Sequence, residues 1–359
     1  MPGPADVVSG TGKHAVGLLC GGYTMRALVT GATGFLGSFI VEALLAHSHQ
    51  VRALARSTSD TSHLETTGAE VVYGDIEDYD SLPRAVDGVD TVFHTAARVT
   101  PGWGKWIEFE NTIVKGTSNL LRASAEADVS RFLFISSVTV GGKLVCGNTP
   151  ADEETPAAVE FSADTYYDYA KKKAEEAVLD YHRQGRIRAT VIRPAMIYGP
   201  RDRLLSDRVY RQTSNRIIVW PGKSNPRCAP IFVSDVAECA VLAATSDSAV
   251  GQVYNVAPPG EIWFQEFCGH MIKAQGGWRI QVTIPYWFAY ACCAMMEAWS
   301  KLRRVKQMPY LTRSGLRFLN EGMYIDASKA TRELGWQPTV SMEEGTRRYV
   351  EWRRTQSRP

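Results

Sequence analysis

The chain has 359 residues, of which 45% are hydrophobic and 22% are charged, and its formal net charge is +2 at pH 7. This composition is that of an ordinary globular protein with a large core, and the length allows one α/β domain and a smaller lobe. The near-neutral charge gives no argument for nucleic acid as a partner. The seven cysteines are odd in number and show no C-x-x-C spacing, which argues against a disulfide framework or a metal site and favours a cytoplasmic, reducing compartment.

The first 24 residues do not resemble folded sequence. They are rich in glycine and small residues, and only positions 15–20 are weakly apolar, so the longer apolar core of a secretory signal is absent. We interpret residues 1–24 as a disordered extension, with Met25 as a natural start directly before the first strand.

A glycine-rich turn follows the first apolar run at 26–29. The order is strand, tight turn and helix start, which brings backbone N–H groups close to a pyrophosphate at a helix N-terminus. The turn therefore predicts a bound nicotinamide dinucleotide. The residues predicted to contact it here are Gly31, Thr33, Gly34, Phe35, Leu36 and Gly37.

Short β-rich runs then alternate with helical patterns as far as residue 192. Strands are predicted at 27–29, 51–54, 70–73, 91–94, 132–135 and 190–192, with helices at 36–46, 79–86, 107–127 and 166–183. This rhythm predicts an α/β fold, a doubly wound parallel (Rossmann) sheet with helices on both faces. We expect the nucleotide-binding domain at 25–200, with 230–258 returning to it. A smaller, mostly helical C-terminal lobe at 201–229 and 259–359 would shape the substrate pocket.

Two overlapping Tyr-x-x-x-Lys pairs occur in the last of these helices, Tyr167 with Lys171 and Tyr169 with Lys173. Residues four apart share a helix face, and a nearby ammonium would favour the phenolate of a tyrosine. Tyr167 and Lys171 lie beside the apolar face, whereas Tyr169 and Lys173 point to the opposite, solvated side. We therefore predict Tyr167 as the acid/base and Lys171 as its partner.

A hydroxyl is expected at the end of the strand at 131–135, where Ser136 and Ser137 lie. Such a group would hydrogen-bond the substrate oxygen beside the tyrosine. Ser137 is the predicted catalytic residue, and Ser136 is the alternative.

Cofactor preference is determined at the end of the second strand, where an acidic residue would bind the ribose hydroxyls of NAD. This chain has Arg56 instead, with Arg52 and Ser57 near it, and these residues suit a 2′-phosphate. We predict NADP, with NAD as the alternative. Further predicted cofactor contacts are Asp75 and Ile76 after the third strand and Ala96 and Ala97 after the fourth. His94 is interpreted as a packed core histidine rather than a base.

The segment at 284–299 is apolar except for Glu297, and Lys301, Arg303, Arg304 and Lys306 follow it. It is shorter than the roughly 20 residues that span a bilayer. Pro285 marks a helix start. A buried helix of the smaller lobe is one interpretation, and an interfacial helix with peripheral membrane contact through 284–306 is the other.

Taken together, these motifs resemble the extended short-chain dehydrogenase/reductase family over nearly the whole chain from Met25. The resemblance rests on the Gly31–Gly37 turn, the Gly-Asp-Ile at 74–76, Asn111, Ser136-Ser137, Tyr167-x-x-x-Lys171 with Ala174-Glu175, and Arg193-Pro194 with Tyr198-Gly-Pro. It implies a Ser137/Tyr167/Lys171 triad. It also implies that Lys171 holds the nicotinamide ribose and that Pro194 to Ile197 line the nicotinamide.

Within that family the chain looks most like the 3β-hydroxysteroid and sterol dehydrogenases and related β-keto acid reductases. This resemblance rests on the sequence segments 94–97 with 103–104, 309–313, 324–330 and 334–338. The resemblance implies hydride transfer between NAD(P) and a secondary alcohol or ketone of a small hydrophobic substrate, and a homodimer is compatible with it. The alternative is a nucleotide-sugar epimerase, which uses the same triad.

Overall fold

The computed structural model describes residues 24–100, 104–142, 148–156, 159–222, 225–303, 312–313, 315–316 and 322–356. Residues 1–23 of the predicted extension at 1–24, the basic residues Arg304 and Lys306, and most of the 309–313 stretch lie outside these ranges.

The strands are short runs of apolar and β-branched residues, which suit a buried, pleated surface. In chain order the described strands are β1 Arg26–Thr30, β2 Gln50–Ala55, β3 Glu70–Tyr73, β4 Thr91–His94, β5 Arg131–Ile135, β6 Arg188–Pro194, β7 Met196–Tyr198, β8 Ile217–Pro221, β9 Arg227–Cys228, β10 Pro230–Phe232, β11 Val253–Val256, β12 Ile262–Trp263 and β13 Ile280–Ile284.

Seven of these strands form one parallel sheet in the order β3-β2-β1-β4-β5-β6-β11. The order reverses between β1 and β4, which is the switch point where ligands bind in doubly wound sheets. The predicted fold class is therefore confirmed. Six of the seven strands occur where the periodicity predicted them, and β11 matches the strand expected to return from the lobe.

The described α-helices are α1 Phe35–Ala46, α2 Ser62–Glu65, α3 Leu82–Val86, α4 Trp106–Phe109, α5 Gly116–Glu126, α6 Tyr166–Arg183, α7 Leu205–Ser214, α8 Val233–Thr245, α9 Phe264–Gln275, α10 Tyr286–Leu302, α11 Ser328–Leu334 and α12 Met342–Thr355. Helix α1 packs against α8 on one face of the sheet, and α3, α5 and α6 pack together on the other.

The single helix predicted at 107–127 is interrupted in its middle. Helix α4 leads into a π-helical segment, Glu110–Lys115, before α5 begins at Gly116. A Cβ at Gly116 would lie 2.8 Å from the side chain of Ile76, so the glycine lets the helix approach the end of β3 closely. A propensity pattern cannot reveal such a packing constraint.

The smaller lobe is built around a separate apolar cluster between α7, α9 and α12. Tyr198 lies at its centre, packed edge-on against Phe232 and Phe267. A Cβ on Gly345 of α12 would lie 2.3 Å from the Tyr198 hydroxyl, so the last helix contacts this ring directly. The lobe is mostly helical, as predicted, but it also contains the two-stranded pairs β8–β13 and β9–β12.

Helix α10 follows β13 immediately after Pro285, where the sequence predicted a helix start. Its interpretation as a buried helix is wrong, because most of its large apolar residues are exposed to solvent. Among the described residues, none of the helices has the length and apolar character required to traverse a bilayer.

Candidate active site

The glycine turn connects β1 to α1 in a conformation that larger residues would disturb. Gly31 has a φ of +67°, and a Cβ there would lie 2.7 Å from Thr95 Oγ1 and 2.8 Å from the backbone nitrogen of Ala96. A Cβ on Gly37 would lie 2.2 Å from the carbonyl oxygen of Gly31. The turn can therefore lie against α1 and the end of β4 only with glycine at both positions.

Helix α1 presents its N-terminus to an open cleft. Gly34 is its N-cap and provides no side-chain cap, and the first turn contains no acidic residue. The free N–H groups and the positive end of the helix dipole therefore face the cleft, which favours a bound anion. Thr33 and Gly34 are exposed there, while Phe35 and Leu36 are half-buried at the start of the helix.

The cleft runs along the carboxyl ends of the sheet strands. The residues that line it include these predicted ones: Gly31, Thr33, Gly34, Arg56, Asp75, Ile76, Ala96 and Ala97. Asp75 also receives a hydrogen bond from the backbone of Glu77 at 3.0 Å, which fixes its carboxylate at the cleft edge. The structure thus brings together residues predicted separately after β1, β2, β3 and β4.

Arg52, considered beside Arg56 for a 2′-phosphate, is a structural residue instead. Its guanidinium is buried, is paired with Glu70 at 3.1 Å, and donates to the carbonyl oxygens of Ala85 and Asp87. Arg56 instead lies beyond the end of β2 and is exposed in the cleft. Only Arg56 of this pair is available to a ligand.

The sequence reasoning missed a second cation in the same cleft. Arg98 lines it opposite the ends of β2 and β3, 3.4 Å from Glu108, and its Nε is buried with no hydrogen-bond partner. A buried donor without a partner costs free energy, and an anion in the cleft would relieve that cost. The feature of the sequence that could have identified Arg98 as a cleft residue was its position directly after Ala96 and Ala97.

Tyr167 and Ser137 meet at the carboxyl end of β5. The Ser137 side chain lies close enough to Tyr167 to counter part of the rise in the pKa of its hydroxyl group, and Ser137 is also the N-cap of a 3₁₀ turn, Val138–Gly141. Ser136 is instead fully engaged behind the site, where its Oγ lies 2.5 Å from Glu175 Oε2. The geometry therefore favours Ser137 over Ser136 as the hydroxyl that faces a substrate.

The alternative pair lies on the outer side of α6. Tyr169 packs edge-on against Trp106 and Phe161, and Lys173 is exposed and paired with Glu176 at 3.1 Å. Tyr169 is thus held among aromatic rings rather than free in solvent, but it lies away from Ser137. The structure brings Tyr167 and Lys171 to the sheet, as the helix-face argument predicted.

Lys171 is buried behind the tyrosine. Its Nζ donates to the carbonyl oxygen of Ile135 at 2.6 Å and lies 4.8 Å from the centre of the Phe134 ring. Burial lowers the pKa of Lys171 to about 7, although the neighbouring carboxylate of Glu175 opposes that change. Burial likewise raises the pKa of Tyr167, and the nearby Asp168 adds to the rise.

This finding differs from the sequence expectation that Lys171 lowers the pKa of Tyr167. In the structure the desolvation of the phenol outweighs any stabilisation of the phenolate, so Tyr167 holds its proton at neutral pH. A protonated tyrosine is the form that can donate to a carbonyl oxygen.

A buried ionic network that the sequence reasoning did not predict supports the site from behind. Arg193, at the end of β6, binds the Glu175 carboxylate through both Nε and Nη2, and the same carboxylate accepts from Ser136. The network therefore connects α6, β5 and β6 directly beneath Lys171. Pro194 and Ile197 lie at the same edge, just beyond Arg193.

A second missed feature extends from Ser137 in the other direction. Ser137 Oγ lies 2.8 Å from Thr139 Oγ1, and Thr139 lies close enough to Asp168 to affect the pKa of its carboxyl group. Burial raises the pKa of Asp168 to about 6, and the neighbouring Thr139 hydroxyl opposes that rise. The side chains of Tyr167, Ser137, Thr139 and Asp168 thus lie next to one another.

His94 is confirmed as a core histidine. It is fully buried, with Nδ1 2.7 Å from Thr30 Oγ1 and Nε2 2.9 Å from Thr117 Oγ1. Burial, together with the charge on Lys171, lowers its pKa to about 3. A neutral imidazole that makes two hydrogen bonds stabilises the junction of β1, β4 and α5 and does not act as a base.

Four aromatic residues of the lobe, at 263, 264, 287 and 288, are divided between core and surface. Phe264 is buried in the lobe, whereas Trp263, Trp287 and Phe288 are exposed.

These features fit a nicotinamide dinucleotide. An uncapped helix N-terminus and two arginines in the cleft suit its phosphates. The residues present, including the unpartnered Nε of Arg98, are those expected to hold such a group.

Comparison with known proteins agrees with this geometry. The model of the NAD dependent epimerase/dehydratase family matches residues 27–257, which include the glycine turn, Ser137, Tyr167 and Lys171. A 2-alkyl-3-oxoalkanoate reductase of Shewanella oneidensis is 28% identical over 336 residues, covering 90% of this chain and 85% of that protein. A 3 beta-hydroxysteroid dehydrogenase/Delta 5-->4-isomerase of Mycobacterium tuberculosis is 31% identical over 337 residues, covering 89% and 88%. Among solved structures, gox2253 superposes with a TM-score of 0.76 at 28% identity, covering 93% of this chain and 99% of that one.

Proposed function

This chain belongs to the NAD-dependent epimerase/dehydratase family. We propose that it is an NADP(H)-dependent oxidoreductase that interconverts a ketone and a secondary alcohol. Its proposed substrate is hydrophobic and is a steroid-like or sterol-like molecule or a β-keto acid. The observation that carries the proposal is the placement of Ser137 next to Tyr167 at the carboxyl end of β5, with Lys171 one helical turn further along α6. The two relatives named above, one a reductase of 3-oxoalkanoates and the other a hydroxysteroid dehydrogenase, support the substrate class.

The protein's part in the reaction is to hold the substrate oxygen and to move one proton. In the reducing direction Tyr167 donates its hydroxyl proton to the carbonyl oxygen, and Ser137 donates a hydrogen bond to the same oxygen. NADPH, when bound, supplies the hydride to the carbonyl carbon. In the oxidising direction the proton returns from the alcohol to Tyr167.

Lys171 acts on the tyrosine through its charge. Its ammonium, held against Ile135, stabilises the negative charge that develops on Tyr167 as the proton leaves. The Glu175–Arg193 network fixes the helix that carries both residues, so that Lys171 keeps this position.

The decisive experiment compares two tyrosines on the same helix. We expect Tyr167→Phe to abolish turnover while NADP(H) still binds, and Tyr169→Phe, the matched control, to keep most activity. The assay follows NADPH and NADH oxidation against 3-ketosteroids, sterol-derived ketones, long-chain β-keto acids and nucleotide-linked keto sugars. Loss of activity in Tyr169→Phe alone would refute the assignment. Turnover of nucleotide sugars only, with tightly retained NAD, would favour the epimerase alternative.

The preference for NADP rests on Arg56. It is exposed in the cleft at the end of β2, and the chain has no acidic residue there for a ribose diol. We expect Arg56→Ala to weaken NADPH binding about tenfold or more, because a charge-assisted contact with a phosphate is lost. NADH, which lacks the 2′-phosphate, is the internal control. An equal loss for both cofactors would exclude the proposed role.

A further inference from the structure

Helix α10 exposes its more apolar face to solvent. From 287 to 299 the exposed residues are Trp287, Phe288, Tyr290, Ala291, Met295, Met296, Ala298 and Trp299, and none is charged. Trp287 is 71% exposed, Met295 64%, Trp299 56% and Leu302, at the helix end, 76%. A contiguous apolar surface of this kind marks an interaction site on a soluble fold.

The opposite face of α10 carries the smaller and more polar residues. Ala289 and Cys293 pack there against Leu316, and Glu297 binds the backbone N–H of Arg313 at 2.7 Å and its Nε at 2.9 Å. In an ordinary surface helix the apolar face is buried and the charged face is solvated. The arrangement is reversed here, so the folded chain leaves the apolar face of α10 without a partner among the described residues.

The strand that leads into α10 has a similar surface. In the β8–β13 pair, Ile217 lies opposite Ile280 and Val219 opposite Val282, and all four side chains are exposed. The intervening Ile218 is buried on the other side. The exposed apolar surface thus begins in β13 and continues through α10.

Positive charge follows directly after this surface. Positions 298–320 contain six Lys and Arg residues and neither Asp nor Glu. Arg303 lies 4.4 Å from the centre of the Trp299 ring, so the charged end of the helix adjoins its aromatic face. An aromatic and aliphatic face that ends in basic residues is typical of helices that lie in a membrane interface.

We propose that the exposed face of α10 docks on the surface of an anionic phospholipid bilayer, with the aromatic and methionine side chains among the acyl chains and Arg303, at the helix end, at the headgroups. A helix of 17 residues lying in the interface plane satisfies its interior backbone groups internally, leaves its end groups to the polar headgroup region, and need not span the bilayer. A second copy of the chain is the less suitable occupant, because it would bring the same positive charge to the helix end, whereas anionic headgroups would neutralise that charge.

Flotation with lipid vesicles tests the proposal on the full chain. The probes are vesicles of phosphatidylcholine alone and vesicles that contain about 30% phosphatidylglycerol as the anionic lipid. We expect binding to the anionic vesicles that weakens at high salt. The double variant Trp287→Ser/Trp299→Ser should lower the partition coefficient about tenfold or more, since each large apolar side chain contributes substantially when buried.

Two further variants keep the test decisive. Leu302→Asp changes only a side chain at the exposed helix end, so it should retain the fold while lowering vesicle binding. Tyr73→Ser, a 58% exposed aromatic on β3 at the edge of the main sheet, is the matched control and should bind as the wild type does. Melting temperature and NADPH binding confirm folding in each variant. Failure of the folded wild type to bind anionic vesicles would overturn the proposal, as would a solution dimer that Trp287→Ser/Trp299→Ser dissociates.

Discussion

Replacing Gly37 with alanine should damage both the fold and the cofactor cleft, because no space exists for one methyl group. The new Cβ would lie 2.2 Å from the Gly31 carbonyl oxygen, 2.7 Å from the Gly31 carbonyl carbon and 2.9 Å from Thr95 Oγ1. Because the interior is packed as densely as a crystal, the Gly31 peptide must move away by about 1 Å to restore an ordinary contact between its carbonyl group and the new Cβ. Gly31 accepts the hydrogen bond from Gly34 N at 2.9 Å, so the N-terminus of α1 is displaced with it.

Overpacking of this kind costs about 1–3 kcal/mol of folding stability. If half of that strain, about 0.5–1.5 kcal/mol, also opposes the geometry that binds NADP(H), the Kd should rise about two- to tenfold. Urea unfolding and NADPH fluorescence titration measure the two effects separately. The reasoning is refuted if Gly37→Ala unfolds and binds NADPH as the wild type does.

Two other glycines provide controls for that experiment. A Cβ on Gly34 would meet only the Gly31 oxygen, at 3.0 Å, and would otherwise face the cleft. Gly34→Ala should therefore weaken cofactor binding with little loss of stability. A Cβ on Gly269 in α9 would meet nothing within 4 Å, so Gly269→Ala should stabilise the protein slightly, by about 0.5–1 kcal/mol, and leave NADPH binding unchanged.

The two charged features beside the catalytic helix give further predictions. Glu175→Gln leaves the guanidinium of Arg193 buried without its counter-ion, so urea unfolding should show that the free energy of unfolding falls by about 3–5 kcal/mol. The matched control Glu176→Gln changes an exposed neighbour and should lower the free energy of unfolding by less than about 1 kcal/mol. Equal losses of stability in the two variants would contradict the argument. Burial raises the pKa of Asp168 to about 6, so between pH 4 and pH 6 the folded state holds a proton that the unfolded state has released, and stability falls as the pH rises. Asp168→Asn removes that penalty and should raise the melting temperature more near pH 7.5 than near pH 4.5. The same increase at both pH values would show that Asp168 is not desolvated.

The sequence predicted the features that depend on local pattern. The glycine turn, the strands and the Tyr167/Lys171 face of α6 follow from periodicity and from which residues tolerate a tight turn, and the structure places each accordingly. His94 was also predicted correctly, since a histidine at the end of a buried strand most simply bonds its neighbours in the core.

Features that depend on tertiary contacts were not accessible to that reasoning. Arg52 and Arg56 have the same chemistry in the sequence, and only the sheet and the Glu70 carboxylate separate a structural residue from a ligand-facing one. The link from Thr139 to Asp168 joins a 3₁₀ turn to a helix 29 positions away, so no spacing rule reveals it. Helix α10 was interpreted as buried because hydropathy records apolar composition but not which face the rest of the chain covers.

The position of β11 in the sheet has a consequence for the order in which the protein is made. This strand pairs with β6, yet β7 to β10 and helices α7 and α8 are synthesised between them. The sheet edge at β6 therefore stays open on the ribosome until residue 256 has emerged, and Tyr198 lacks its contact with Gly345 until α12 follows. Nascent chains in this interval expose an unpaired strand edge and an incomplete lobe, which are the surfaces that chaperones cover. The topology thus makes the synthesis of the later part of the chain, rather than the synthesis of the nucleotide-binding half, the vulnerable stage in the biogenesis of this protein.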